Sequence, residues 1–339
     1  MREANKRREA SIVVFKEQEM GRNVNVLCRN DNCSVMQVRD KSGEGVMTAY
    51  DVFTGIYVIF NDFHMQHCIS EFNPDQEMFC IDHCREGRIE WELDNYKYIY
   101  FESGDMQINT RTYHKHDFSF PMRHYHGITI GFLMDEAEQS LKNVMEGISV
   151  DLHKLKEKFC PENRPFIMRA GKRIHHVFSE LYEAPKHLDH IRMSYFRIKV
   201  LELLLFLESI ETPGICEERR YFYKSQVRKI KEIAELITGN LESHYTLEEL
   251  SRRFDFPLTS MKLCFKGVYG TSIYAFIKDY RMNKAAVLLK QSSKTVAEIA
   301  GAVGYENPGK FAAAFHSVIG MTPSEFRKYG VQMDYPAHS

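Results

Sequence analysis

Thr295-Val296-Ala297-Glu298-Ile299-Ala300-Gly301-Ala302-Val303-Gly304-Tyr305-Glu306-Asn307-Pro308 is the stretch whose reading decides how the last third of this chain folds. Thr295 with Glu298 three residues on is a capping box, in which hydroxyl and carboxylate satisfy backbone amides that the first turn of a helix leaves unpaired. Ile299, Ala300 and Val303 then share one helical face. Gly304-Tyr305 supplies a turn. Asn307 before Pro308 is a cap followed by proline at the first helical position, so a second helix is predicted from there to about Ile319. Short helix, tight turn and second helix make the geometry that places a helix in a major groove.

The plan also occurs 49 residues earlier. Thr246-Leu247-Glu248-Glu249 is a capping box, Leu247, Leu250 and Phe254 form one face, and Asp255-Phe256-Pro257 breaks the chain before a helix of about 258–268 that ends at Gly270. A long helix, about 272–290, with Ile273, Phe276, Ile277, Tyr280, Ala285, Leu288 and Leu289 inward, joins the units. Thr322-Pro323-Ser324-Glu325 opens a short closing helix. One such hairpin is a weak signal, since helical hairpins are common. Two on one long helix are far more specific.

Residues 225–329 resemble the DNA-binding domain of the AraC/XylS family of transcriptional regulators. The matching positions are Phe265, Gly270, Arg281, Ala285, Leu288, Leu289, Ile299, Ala300, Gly304, Tyr305, Phe311, Phe315, Gly320, Pro323 and Phe326-Arg327. Lys262–Met282 and Lys310–Phe315 are similar to the pyochelin-receptor-regulator-like subgroup, whose ligand is an iron siderophore. The resemblance implies a sequence-specific regulator of transcription, activator or repressor, and no enzyme. Its partners would be double-stranded DNA, a small-molecule effector held by the N-terminal domain, RNA polymerase and a second copy in a homodimer.

Phe265, Gly270, Ile299, Gly304, Tyr305, Phe315, Gly320 and Pro323 are read as structural, and Arg281 as structural or phosphate-facing. The outward face of the first recognition helix is expected to show Thr259, Ser260, Lys262, Leu263 and Lys266. That of the second is expected to show Asn307, Gly309, Lys310, Ala313 and His316. Lysine can reach guanine edges, asparagine adenine edges, and an apolar side chain a thymine methyl, although any polar group among them could contact phosphate alone. Leu263 and Ala313 stand where many members carry arginine, so the alanine-rich second helix is expected to act more through fit and phosphate contact.

Before this domain the texture differs. From about 11 to 133, short β-branched and aromatic runs alternate with turn signals, as in Gly55–Phe60, Met78–Asp82, Arg88–Leu93, Tyr96–Phe101 and Gly127–Phe132. Glu86-Gly87 reads as a hairpin turn. The expected fold class is therefore α+β, with a cupin-like sensing barrel over 11–133, a helical dimerisation or packing region over 134–214, a linker at 215–224 and the all-α double helix-turn-helix domain over 225–330. Trp91, Tyr96, Tyr98 and Tyr100 are candidates to line a ligand cavity, with ordinary core as the alternative. The helix of about 187–211, with Ile191, Tyr195, Ile198, Leu201, Leu205 and Ile210, is a candidate dimer face or a packing face.

His114, His116, His124 and His126 invite a metal reading, because His-x-His on a strand turns both rings to one side. No ligand set at cupin-enzyme spacing accompanies them, so no metal or cofactor is expected. The alternative functions are a cupin-type metal-dependent enzyme with a helical appendage and a scaffold that does not bind DNA.

Charge is uneven. Residues 221–330 hold 16 Lys or Arg against 10 Asp or Glu, and residues 1–220 hold 29 against 35. A basic C-terminal part beside an acidic N-terminal part suits a phosphate-backed partner. Eight cysteines in 339 residues do not form a disulfide framework. The basic opening MREANKRREA leads into no apolar leader core, and the most apolar helical run, Phe196–Leu207, is interrupted by Arg197, Lys199 and Glu202, so the expected location is cytoplasmic, with no membrane contact.

Overall fold

The computed structural model describes residues 21–329 except 73, 75, 95, 112–115, 145–149, 162–164, 185–188 and 212–220. The predicted linker therefore lies outside the described residues up to 220, as does His114. The chain divides into two compact units, Met1–Trp91 with Phe101–Arg219, and Glu92–Tyr100 with Arg220–Ser339.

The strands of the first unit are β1 (Val24–Asn30), β2 (Cys33–Asp40), β3 (Gly43–Phe53), β4 (Ile56–His64), β5 (His67–Ser70), β6 (Met78–Asp94), β7 (Lys97–Glu102), β8 (Asp105–Arg111), β9 (His116–Ser119), β10 (Tyr125–Leu133) and β11 (Phe166–Arg169), with the segment from Glu92 to Tyr100 counted in the second unit. They pair antiparallel in the order β1-β2-β3-β4-β10-β6, and β8 and β11 continue beyond β6. β5 pairs with β9, which meets β6 at Glu90.

The expected closed cupin-like barrel is not what forms. The sheet is an open half-barrel, because among the described residues β1 at one end pairs only with β2 and β11 at the other only with β8. Helices do the covering that closure would otherwise provide. These are α1 (Met134–Val144), α2 (Leu152–Phe159), α3 (Lys172–Tyr182) and α4 (Asp189–Ser209). Ile56 and Val58 of β4, Phe79 and Ile81 of β6, and Ile128, Ile130 and Phe132 of β10 point to one face and share a core with Leu141, Leu155, Phe178, Val200 and Leu204 from those helices. The opposite face carries Met36, Ala49, Tyr57, Ile59, Met78 and Cys80. With both faces covered, Ile56–Ile59 and Gly127–Phe132 are buried without interruption.

Two local expectations also change. Glu86-Gly87 is no hairpin turn: β6 runs through it, with Arg85 as an extra residue opposite β10 and Gly87 at φ +85°, which makes a β-bulge. A Cβ at Gly87 would lie 2.2 Å from the His124 carbonyl oxygen, so glycine is required there. In α4 the helix splits into two faces. Phe196, Val200, Leu203, Leu204 and Leu207 are inward, whereas Ile191, Ile198 and Leu205 of the sequence-predicted face are exposed.

The second unit is built from β12 (Phe222–Tyr223), α5 (Lys224–Gly239), α6 (Leu247–Arg253), α7 (Leu258–Tyr269), α8 (Ile273–Gln291), α9 (Val296–Ala302), α10 (Pro308–Ile319) and α11 (Pro323–Tyr329). β12 pairs with Lys97 and Tyr98. Tyr100 is buried with Phe222, Val227 and Ile230, and Tyr98 packs on the same cluster, so these tyrosines build the helical unit's core and line no sensing cavity. Tyr96 is exposed, and Trp91 stacks edge-on to Phe118 at 5.1 Å.

α8 serves two cores. Its first turns contribute Ile273, Phe276 and Ile277 to a cluster with Leu250, Met261 and Phe265. Its last turns contribute Met282, Ala285 and Leu289 to a cluster with Ile299, Val303, Phe311, Phe315 and Phe326. Among the described residues, no helix is long and apolar enough to cross a membrane.

Candidate nucleic-acid interface

Each helix-turn-helix unit begins from a capping box. In the first, Glu249 donates its backbone N–H to Thr246 Oγ1 at 3.1 Å, and Thr246 N–H donates to the Glu249 carboxylate at 2.8 Å. In the second, the corresponding distances are 3.2 Å from Glu298 N–H to Thr295 Oγ1 and 2.7 Å from Thr295 N–H to Glu298. A third box links Thr322 and Glu325 at 2.8 Å and 3.3 Å before α11. The hydrogen bond from each threonine's backbone holds these three carboxyls below the usual glutamate range.

The two turns solve one steric problem differently. The first places Asp255 at φ +43°, a left-handed conformation that aspartate tolerates better than most residues, and Ser251 locks it. Ser251 Oγ donates to the Phe256 carbonyl at 2.6 Å, and Phe256 N–H donates to the Ser251 carbonyl at 2.9 Å. The second turn uses Gly304 at φ +80°, where an added Cβ would lie 2.1 Å from the Leu241 carbonyl oxygen. Arg281 completes that corner. Its Nη2 donates to the carbonyls of Leu241 at 2.7 Å and Ser243 at 3.3 Å, and its guanidinium lies 5.9 Å from the Tyr305 ring centre. Of the two roles read from sequence, these contacts favour the structural one.

Phe265, Ile299 and Phe315 are fully buried, Pro323 and Phe326 are also buried, and Gly270 and Gly320 end α7 and α10 in the left-handed conformation. With the inward positions fixed, the outward ones follow. On α7, Thr259, Lys262, Leu263 and Lys266 are exposed along one face and Ser260 is half-buried beside it. On α10, Gly309, Lys310, Ala313 and His316 are exposed, and Asn307 stands exposed at its start. Among the described residues no carboxylate pairs with Lys262, Lys266 or Lys310, so their charge is available to an anion. Arg252 and Arg253 at the end of α6 are also exposed; they lie on the first helix of the unit, to which the helix-turn-helix pattern assigns no base-reading face.

Asn307 changes role once its contacts are drawn. Its Oδ1 accepts from Gly309 N–H at 2.8 Å and Lys310 N–H at 3.0 Å, so it caps α10. A bidentate grip on adenine needs that oxygen as well as the amide nitrogen. The first unit therefore presents a face of two cations, a hydroxyl and a leucine that is 45% exposed, while the second presents one lysine, one histidine and small residues.

The family model described as a helix-turn-helix domain matches residues 250–329. The chain is 25% identical over 103 residues to the HTH-type transcriptional activator RhaR of Mannheimia succiniciproducens, a match covering 30% of this chain and 37% of that protein. It is 30% identical over 136 residues to the HTH-type transcriptional regulator ExsA of Pseudomonas aeruginosa, covering 39% and 46%. Residues 250–329 match a helix-turn-helix domain, as do the HTH-type regulators to which the chain is similar. A solved transcriptional regulator with an AraC-type DNA-binding domain from Chromobacterium violaceum is 25% identical, covering 31% of this chain and 94% of that one, with a TM-score of 0.29. The chain spans less than half the length of RhaR and ExsA.

In the N-terminal unit two of the sequence-predicted histidines stay together, the His124 and His126 ring centres lying 6.5 Å apart edge-on. His126 lies on β10 with its Nε2 2.7 Å from Asp62 Oδ1, and His124 Nδ1 lies 3.1 Å from the Met122 carbonyl oxygen. Cys80 and Cys84 are both buried, and burial pushes the Cys80 thiol up to about 12 and the Cys84 thiol higher still, which is the opposite of an activated thiolate.

Proposed function

We propose that this protein is a sequence-specific DNA-binding regulator of transcription, acting through the AraC-type domain. The observation that carries the reading is that one rigid helix, α8, belongs to the cores of both helix-turn-helix units and so fixes the spacing of their recognition helices. Two recognition helices held in this way suit successive major grooves on one face of the duplex, about 34 Å apart. α7 reads bases and α10 contributes fit and phosphate contact.

The test is a gel shift of the full chain on DNA from upstream of its own gene, with salt varied. A specific complex is expected, and replacing Lys262 or Lys310 by alanine is expected to reduce the salt slope by about 1 where the lysine meets phosphate. Lys262→Ala is expected in addition to relax preference at one base position. No shift at any salt would favour the scaffold reading instead.

The N-terminal unit is proposed to hold a small effector. The support is a charged set on the sheet face opposite the helices. Buried Asp82 accepts from Thr129 Oγ1 at 2.6 Å, Asn109 Nδ2 at 2.6 Å and Arg111 at 2.7 Å, and Asn61 donates to Thr129 at 3.0 Å. The likeness of Lys262–Met282 to the pyochelin-responsive subgroup makes an iron siderophore the first effector class to try. A ligand that alters neither melting temperature nor DNA affinity is excluded as the effector. Homodimerisation is proposed through the exposed stripe Ile191, Ile198 and Leu205 of α4, and RNA polymerase is a proposed partner of the DNA-bound form.

A further inference from the structure

We propose that Asp62, His64 and His126 form a binding site for one divalent first-row transition-metal ion. The sheet register brings them together. Asp62 on β4 lies directly opposite His126 on β10, and His64, two residues on from Asp62, projects to the same face. His64 Nε2 lies 2.8 Å and His126 Nε2 lies 2.7 Å from the same carboxylate oxygen, Asp62 Oδ1. One ligand atom from each of the three side chains falls within 4.8 Å of the other two.

Two imidazole nitrogens and a carboxylate oxygen are a donor set that zinc and its neighbours accept. Bonds of about 2.0–2.2 Å place tetrahedral ligands roughly 3.3 Å apart, so each nitrogen needs to retreat from Oδ1 by only about half an ångström. The metal would then replace the protons through which both rings now contact Asp62.

The location favours an ion with one open coordination position. Along β4 and β10 the same face carries Ile56, Val58, Ile128 and Ile130 beneath the helices, and the three ligands stand beyond that apolar cover. Asp62 is exposed while both histidines are half-buried, so water can complete the shell from the solvent side. Two carboxylates are also in register on this face, Glu86 opposite His126 and Glu44 opposite His64, and both favour a cation. Bridging β4 to β10, the ion would clip the middle of the open sheet.

The experiment uses the full chain, stripped with chelator and titrated with Zn²⁺ by calorimetry and with Co²⁺ by visible absorption. One ion per chain is expected, with a Co²⁺ spectrum of nitrogen and oxygen ligation. Asp62→Asn, His64→Gln and His126→Gln should each weaken binding at least tenfold, while His153→Gln, an exposed histidine elsewhere, should leave it unchanged. Far-UV circular dichroism on each variant confirms that the sheet has formed. Wild-type stoichiometry well below one, a thiolate band in the Co²⁺ spectrum, or affinity retained in folded Asp62→Asn and His126→Gln would each overturn the site.

Discussion

Gly304 shows how much one residue decides. It lies at φ +80° between α9 and α10, and the space where a Cβ would go is already filled by the Leu241 carbonyl and the Arg281 guanidinium. Gly304→Ala is therefore expected to destabilise the protein by about 1–2 kcal/mol from the left-handed backbone alone, and further through the contact with backbone that cannot yield. Chemical denaturation of the two proteins side by side measures this. Its effect on DNA binding should exceed that of Gly301→Ala, since Gly301 has open space at its Cβ position. The glycine was legible as a turn from the sequence, whereas its partner Leu241, 63 residues away, was not.

The three capping boxes show how strongly local pattern governs the helical elements. Each of Glu249, Glu298 and Glu325 has its carboxyl held below the ordinary range by a threonine's backbone hydrogen bond. A depressed folded-state value means the contribution is present above the unfolded glutamate value near ~4.3 and disappears as pH falls through the folded one. Melting of the helix-turn-helix domain is therefore expected to fall below about pH 5. Thermal melts from pH 7 to 3 should show a shallower fall for Glu298→Gln, which keeps the cap geometry without titrating. Thr295→Ala should cost about 1 kcal/mol at neutral pH. The boxes were readable in the sequence because every partner lies within three residues.

At the scale of the whole molecule, α4 carries one buried apolar face and one exposed apolar stripe. Its inward face fills the core beneath the half-barrel, and Arg197 Nε donates to the Val52 carbonyl at 2.8 Å from the same helix. Ile198, 60% exposed, lies on the other face with Ile191 and Leu205, spaced by seven residues as a coiled-coil seam would be. If that stripe joins two copies, Ile198→Asp should convert dimer to monomer without lowering the melting temperature of the subunit, as read by sedimentation velocity. A wild-type chain that sediments as a monomer at micromolar concentration would remove the interface.

Sequence by itself determined the helix-turn-helix domain almost completely: the helices, their caps, both turns and the outward faces of α7 and α10. The reason is that helical periodicity and capping act within a few residues, and two nearly repeated units reinforce one another. It also determined that the first part is strand-rich. Alternation along a strand records that a face is covered, not by what, so closure of the sheet was illegible and a barrel was expected where helices cover an open half-barrel. The same limit hid Asp62 and His64 as neighbours of His126, 64 and 62 residues away along the chain. Pairing between strands is long-range, and only the tertiary structure decided which side chains it set opposite one another.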